Sequence, residues 1–169
     1  MKKIILSAAC LLGGMLLHAQ QVDFGVTAGY LNGEAKAKAE GLTISANESG
    51  FYIGAVADFT LTEDFHIQPE LIYANIDDSD GIFLPILAKY YVASKLNLQA
   101  GPQFVFSLED TPEDFSSVEF DLAAGLGFDI TEKFFAEARY SFQINNSYTG
   151  SEDVTVRANY LTIGLGYTF

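Results

Sequence analysis

From Gln20 onward the chain alternates apolar and polar positions with a period of two, the mark of strands with one face buried in an apolar medium. The longest example runs from Val118 to Ile130. Val118, Phe120, Leu122, Ala124, Leu126, Phe128 and Ile130 share one face, and Glu119, Asp121, Ala123, Gly125, Gly127 and Asp129 share the other. The final segment does the same, with Leu161, Ile163, Leu165, Tyr167 and Phe169 opposed to Tyr160, Thr162, Gly164, Gly166 and Thr168. Eight such segments are predicted, near 22–32, 51–61, 65–76, 82–92, 96–108, 117–130, 134–145 and 156–169.

The connections between segments alternate in length. Thr62–Asp64, Ala93–Lys95 and Thr131–Lys133 are short, whereas 33–50, 77–81, 109–116 and 146–155 are longer and polar. Short turns on one rim and long loops on the other predict an all-β fold, an eight-stranded antiparallel up-and-down transmembrane β-barrel. Segments of this length exceed the five or six residues typical of soluble sheets and match a tilted membrane crossing.

A soluble periplasmic ligand-binding barrel would show the same period with the apolar face inside. Three features favour an apolar exterior. The polar face is rich in small residues (Gly25, Gly54, Gly101, Gly125, Gly164) and poor in cations, which suits a narrow lumen better than a solvated surface. Aromatic residues gather at both strand ends: Phe24, Phe59, Phe65, Tyr90, Phe128, Phe134 and Tyr167 towards the short turns, and Tyr30, Phe51, Tyr73, Phe106, Phe120 and Phe142 towards the long loops. Such paired belts mark two lipid–water interfaces. The chain also ends on Leu165, Tyr167 and Phe169, all on the apolar face.

The start of the chain has a different character. Met1-Lys2-Lys3 precedes a mostly apolar run from Ile4 to Leu17, and Ala19 then leads into Gln20-Gln21. A basic start, an apolar stretch and a small residue describe a secretory signal peptide over residues 1–19, leaving 20–169 as the barrel domain. The run is ~14 residues long, short for a ~30 Å hydrocarbon core, which argues against a retained anchor. Ser7-Ala8-Ala9-Cys10 is a poor lipoprotein acylation signal, since apolar sequence continues beyond the cysteine.

Composition narrows the function classes. With 49% apolar and 14% aromatic residues the chain is not disordered. Its 22 acids against nine basic residues repel phosphate, so no nucleic-acid partner is expected. With Lys2 and Lys3 gone the nine basic residues become seven, a net charge of −15, and Cys10, the sole cysteine, leaves with them. Stability must then come from burial or the membrane rather than from disulfides.

Several segments resemble the PorT-like outer-membrane β-barrel family of Gram-negative bacteria, small barrels of the OmpA/OmpX type. The residues that carry the resemblance are Phe24-Gly25-Val26-Thr27-Ala28-Gly29, Ile67-Gln68-Pro69-Glu70-Leu71-Ile72-Tyr73, Leu84-Pro85-Ile86-Leu87-Ala88-Lys89-Tyr90, Ala100-Gly101-Pro102 and Ile163-Gly164-Leu165-Gly166-Tyr167-Thr168-Phe169. The resemblance implies an integral protein of the cell outer membrane. Its end, Leu165, Tyr167 and Phe169, is similar to the terminal signal read by the barrel-assembly machinery. It implies no shared activity and no catalytic residue.

By parity Asp58, Glu70, Lys89, Glu137 and Arg139 point inward, because a strand sends alternate side chains to opposite faces. They are expected to form a salt-bridged plug, with Lys89 and Arg139 as the cations, since buried charges must be paired. A gate or proton path is the competing reading of the same residues. The long loops are acidic, and Asp77, Asp78 and Asp80 form a cluster. The cluster fails as an EF-hand, with Ile76 at the first ligand place and Leu87 at the twelfth. Divalent-cation binding there is a hypothesis rather than an assigned metal site.

No catalytic group, cofactor or metal is expected. His18 leaves with the signal peptide, and His66 sits beside the short turn Thr62–Asp64, away from any loop serine. The expected role is structural or interactive: a monomeric barrel in outer-membrane lipid, displaying acidic loops to an extracellular partner. The alternatives are a narrow channel or small-solute transporter, or a soluble periplasmic barrel.

Overall fold

The computed structural model describes residues 21–39, 41–77 and 79–169. The expected signal peptide, residues 1–19, lies outside the described residues, and so does Asp78. Eight strands form: β1 (Gln21–Ala39), β2 (Leu42–Thr60), β3 (Phe65–Ile76), β4 (Ser79–Ala93), β5 (Leu96–Ser107), β6 (Val118–Asp129), β7 (Phe134–Gln143) and β8 (Val154–Thr168). Each pairs antiparallel with its neighbours in sequence, and β1 pairs with β8 to close the barrel. Closure leaves the wall without a free edge, the one way a sheet can satisfy its backbone in an apolar medium.

The alternation resolves as an apolar outside. Phe120 is 37% exposed, Leu126 51% and Leu165 61%, while Glu70 on the opposite parity is 4% exposed. Both aromatic sets stand on this outer face. The lumen is narrow, and its small residues make room for large ones. A Cβ on Gly29 or Gly164 would collide with the ring of Tyr52, and one on Gly166 with the ring of Phe135.

Two short turns share a device. Thr62-Glu63-Asp64-Phe65 and Thr131-Glu132-Lys133-Phe134 follow one pattern, and in each the threonine hydroxyl accepts the phenylalanine N–H, at 3.1 Å and 3.0 Å. A hydroxyl that bonds its own turn fixes the reversal locally.

The loop rim differs from expectation in two places. Residues 33–50 are not a loop. β1 and β2 stay in register from Gln21↔Thr60 to Ala39↔Leu42, turning at a tip where Gly41 has φ 83°. β8 pairs with β1 as far as Ala39↔Val154, whereas β3 joins β2 only from Gly50↔Ile76. A three-stranded sheet therefore projects beyond the barrel. Its sequence still alternates, as Ala35-Lys36-Ala37-Lys38-Ala39 and Leu42-Thr43-Ile44-Ser45-Ala46. Apart from the exposed Leu42 and Ile44, the side chains of these two segments are small or polar. Likewise 77–81 is a tight reversal, closed by the pair Ile76↔Ser79 with Asp77 at φ 44°. Aspartate tolerates that left-handed conformation better than most residues.

The remaining two loops, 108–117 and 144–153, are irregular and pinned to each other. Ser116 N–H donates to Ser147 O at 2.8 Å and Thr149 N–H to Asp114 O at 2.8 Å. The rings of Phe115 and Tyr148 meet edge to face with centroids 5.5 Å apart.

Candidate functional site in the barrel lumen

The ring order places β3 and β7 on opposite sides of the barrel, and the strongest lumenal contact joins them. Arg139 on β7 forks onto Glu70 on β3, with Nη1 donating to Oε1 at 2.6 Å and Nη2 to Oε2 at 2.8 Å. Planar guanidinium and planar carboxylate match in this two-bond geometry, which fixes both side chains. Nη2 also lies 3.7 Å from Oε2 of Glu137, two residues along β7.

Gln68 connects this bridge to the second cation. Its Nε2 donates to Glu70 Oε1 at 2.6 Å and to Glu137 Oε1 at 3.0 Å, and its Oε1 accepts from Lys89 Nζ at 2.7 Å. Lys89 Nζ also donates to Asp58 Oδ2 at 2.7 Å, and Asp58 Oδ1 meets His66 Nδ1 at 2.6 Å. Gln99 adds a bond from Nε2 to Glu137 Oε1 at 2.8 Å. The rings of Tyr91 and Phe135 lie 5.8 Å and 5.9 Å from Lys89 Nζ. Asp58, Glu70, Lys89, Glu137 and Arg139, the five inward charges of the sequence, thus lie in one connected network.

Parity alone marked those five charges. His66, Gln68 and Gln99 share the inward parity without standing out by charge, and the Gln68 amide is what links the charged pairs, while Gln99 adds a donor to Glu137. His66, beside the short turn Thr62–Asp64, reaches Asp58 and packs against Tyr91 at 5.0 Å between centroids.

Nearer the loop rim the filling changes. Leu31, Tyr52, Ile72, Ala74, Phe83 and Val105 form a buried apolar cluster, and Ile76 and Tyr160 pack against it. Tyr160 donates its hydroxyl to Glu119 at 2.8 Å. On the β5–β7 side Asp121 accepts from Gln103 Nε2 at 3.0 Å and from Ser141 Oγ at 3.3 Å. At the short-turn mouth a vestibule of about 860 Å³ opens outward and is floored by Asp58, His66, Gln68 and Lys89.

Of the acidic loop cluster, Asp77 and Asp80 lie among the described residues. Asp77 occupies the reversal, and Asp80 Oδ1 accepts from the Tyr73 hydroxyl at 2.6 Å and from Asn75 Nδ2 at 2.8 Å. These bonds, the Tyr73 hydroxyl first, hold the Asp80 carboxyl below the ordinary aspartate value. Among the described residues no group of three or more His, Cys, Asp or Glu side chains is placed to hold a metal ion.

Leu165, Tyr167 and Phe169 stand on the outer face at the closing seam. Tyr167 packs edge to face on Phe134 and Phe169, at 5.0 Å and 5.9 Å, and Phe169 N–H donates to Phe24 O at 2.9 Å.

No family model and no curated protein matches the sequence. Among solved structures, the chain is similar to Ail, the attachment invasion locus protein of Yersinia pestis, in complex with the heparin analogue sucrose octasulfate. The identity is 17% over 89% of this chain and 100% of that chain, with a TM-score of 0.51. Neisserial surface protein A gives 17% identity over 89% and 100%, with a TM-score of 0.50. Ail in a phospholipid bilayer nanodisc gives 15% over 88% and 100%, with a TM-score of 0.50. The fold is that of the small outer-membrane β-barrels.

Proposed function

We propose that this chain is an integral outer-membrane barrel that serves as a plugged, non-conducting platform, presenting its acidic loops and projecting sheet outside the cell. The observation that carries the reading is the Glu70–Arg139 bridge, which crosses the lumen between opposed strands of a barrel whose outside is apolar. An eight-stranded barrel has room inside only for side chains, and here a continuous ion network and an apolar cluster occupy it in succession. The exposed apolar wall removes the basis for a soluble barrel, since water would meet a large uninterrupted apolar surface.

Several finer elements belong to the same proposal. The signal peptide over 1–19 is removed after export, and both chain ends then lie in the periplasm with the short turns. Leu165, Tyr167 and Phe169 are the side chains offered to the barrel-assembly machinery. The barrel works as a monomer in lipid, and the PorT-like resemblance gives its kinship. A catalytic role finds no support: His66, the one histidine among the described residues, spends Nδ1 on Asp58 at the rim opposite the loops.

A narrow channel is the reading that the vestibule favours, because it leads inward to the network from the short-turn mouth. Conductance across a planar bilayer separates the two. The platform predicts a silent protein that migrates faster on a gel unheated than boiled and whose loops are cut by protease added outside the cell. Discrete conductance steps in the wild type would hand the function to the channel.

A further inference from the structure

The basic residues among the described part of the chain fall into three places. Lys89 and Arg139 lie in the lumen, and Lys95 and Lys133 lie at the short-turn rim. The other three, Lys36, Lys38 and Arg157, all lie on the projecting sheet. The register sets Lys36 directly opposite Arg157, with Lys38 two residues further along the same strand.

Which way they point follows from parity. Lys36 and Lys38 share the face of Val26 and Tyr30, and Arg157 shares the face of Ile163 and Leu165. The pairing of β1 with β8 runs unbroken from Gly25↔Thr168 to Ala39↔Val154, so no bulge turns the face. The cations therefore stand on the upward continuation of the apolar outer wall rather than over the barrel mouth. Apolar side chains on this face stop at Tyr30, Phe51 and Leu161, and Asn32, Ser49 and Asn159 replace them. Arg157 lies four residues past Leu161. At a rise of ~3.3 Å per residue and a tilt of roughly 40° that is about 10 Å above the apolar border, within reach of the headgroup layer.

The balance of charge on this face is unlike that of the rest of the rim. Glu34 is the carboxylate that β1 places there, bridged to Lys36 at 2.7 Å and approached by Asn159 Nδ2 at 3.4 Å. Among the described residues of β1, β2 and β8 on this face, one acid against three cations leaves a local +2, on a chain that is strongly acidic overall. Cations directly opposite one another repel, and a single glutamate on Lys36 does not offset both neighbours. An anion between Lys36 and Arg157 would.

We propose that Lys36, Lys38 and Arg157 clamp the phosphate of an outer-leaflet lipid headgroup, tying the projecting sheet to the membrane surface beside it. The occupant follows from continuity, because the surface directly below these side chains is the wall that lipid covers. A phosphate monoester at that depth presents several acceptor oxygens to the three donors. The inference rests on the outer-membrane reading above.

The test uses the purified full chain in detergent, incubated with an equal mixture of phosphatidic acid and phosphatidylcholine, with retained lipid identified by native mass spectrometry. Wild type is expected to retain phosphatidic acid over phosphatidylcholine by about thirtyfold, the scale of two net charges acting near a headgroup. K36Q/K38Q/R157Q should lose the preference, and K95Q/K133Q, on the other rim, should keep it. Equal retention of both lipids by wild type, or a preference lost in K95Q/K133Q and kept in the triple variant, overturns the clamp. Displacement of the lipid by millimolar inorganic phosphate would assign the site to free phosphate and overturns it too. A gel shift between unheated and boiled samples separates the two levels: a chain that shifts but shows no preference fails the clamp alone, and one that never shifts fails the barrel reading.

Discussion

The two halves of the lumen are filled by opposite means. Towards the short turns the filling is ionic, a chain of contacts from His66 through Asp58, Lys89, Gln68 and Glu70 to Arg139. Towards the loops it is mostly apolar, with Phe83 and Tyr160 packed edge to face at 4.9 Å above Leu31, Tyr52 and Ile72. Both fill the axis with side chains, but they respond differently to damage. An apolar cluster loses stability in proportion to the volume removed, because its members contribute by contact. An ion pair out of water fails abruptly, because removing one partner strands the other charge. The short-turn half therefore ties the opposed strands β3 and β7 together, and the loop half supplies bulk.

The largest effect should come from breaking the bridge on one side. Arg139→Ala leaves Glu70 and Glu137 buried without their guanidinium and should cost about 3–5 kcal/mol. Urea unfolding in lipid vesicles, read by the loss of the fast-migrating gel band, measures it. The double variant Glu70→Leu with Arg139→Leu removes both charges and should recover most of the loss, so a cycle over wild type, Glu70→Leu, Arg139→Leu and that double variant isolates the pair. An Arg139→Ala variant as stable as wild type would leave the ionic half without its purpose.

Next in size is overpacking at the border between the halves. Gly164→Ala puts a methyl group into the space of the Tyr52 hydroxyl and ring and against the Ala28 carbonyl oxygen, and a well-filled core resists such an addition by about 1–3 kcal/mol. The same substitution in Gly164→Ala with Tyr52→Leu should be much milder, which vesicle unfolding would again show. Below that, Ile72→Val removes one buried methylene from the apolar half and should cost about 1 kcal/mol without altering gel migration. A loss for Ile72→Val as large as that for Arg139→Ala would erase the distinction between the halves.

How far these halves were readable from the chain follows from what each depends on. Inward and outward sides were legible throughout, because parity is local: Glu70 and Arg139 could be placed inside from their own strands. Their pairing was not, since it depends on how eight tilted strands close. The amides Gln68 and Gln99 share the inward parity, but a reading that followed charge passed over them. The apolar cluster hid for a related reason. Leu31, Tyr52 and Phe83 lie on the face that is otherwise rich in glycine and polar residues, and a pattern that assigns apolar side chains to lipid has no place for them. At residues 33–50 the alternation is present in Ala35 to Ala39, but one of its two faces carries only alanine there, too little apolar bulk to mark a strand. The shared turn Thr62 to Phe65 and Thr131 to Phe134 was visible as a repeat of four residues.

The smallest effect concerns a carboxylate outside the lumen, and it sharpens the contrast by showing a charge kept without any cation. Asp80 stands at the loop rim, where the Tyr73 hydroxyl and Asn75 amide both donate to Oδ1. Those donors favour the ionised form, so the folded pKa lies below the ordinary aspartate value. The sign follows from linkage. The unfolded chain takes up the proton first as pH falls, so the contribution is complete above the ordinary aspartate range and disappears as pH drops through the lower folded value. Following the Asp80 carboxyl carbon by NMR should give a midpoint below that of a free aspartate, and Tyr73→Phe, which deletes the stronger donor, should move it upward. A midpoint that ignores Tyr73→Phe would mean that the hydrogen bond does not hold the charge, and that the exposed rim and the buried network differ in nothing but access to water.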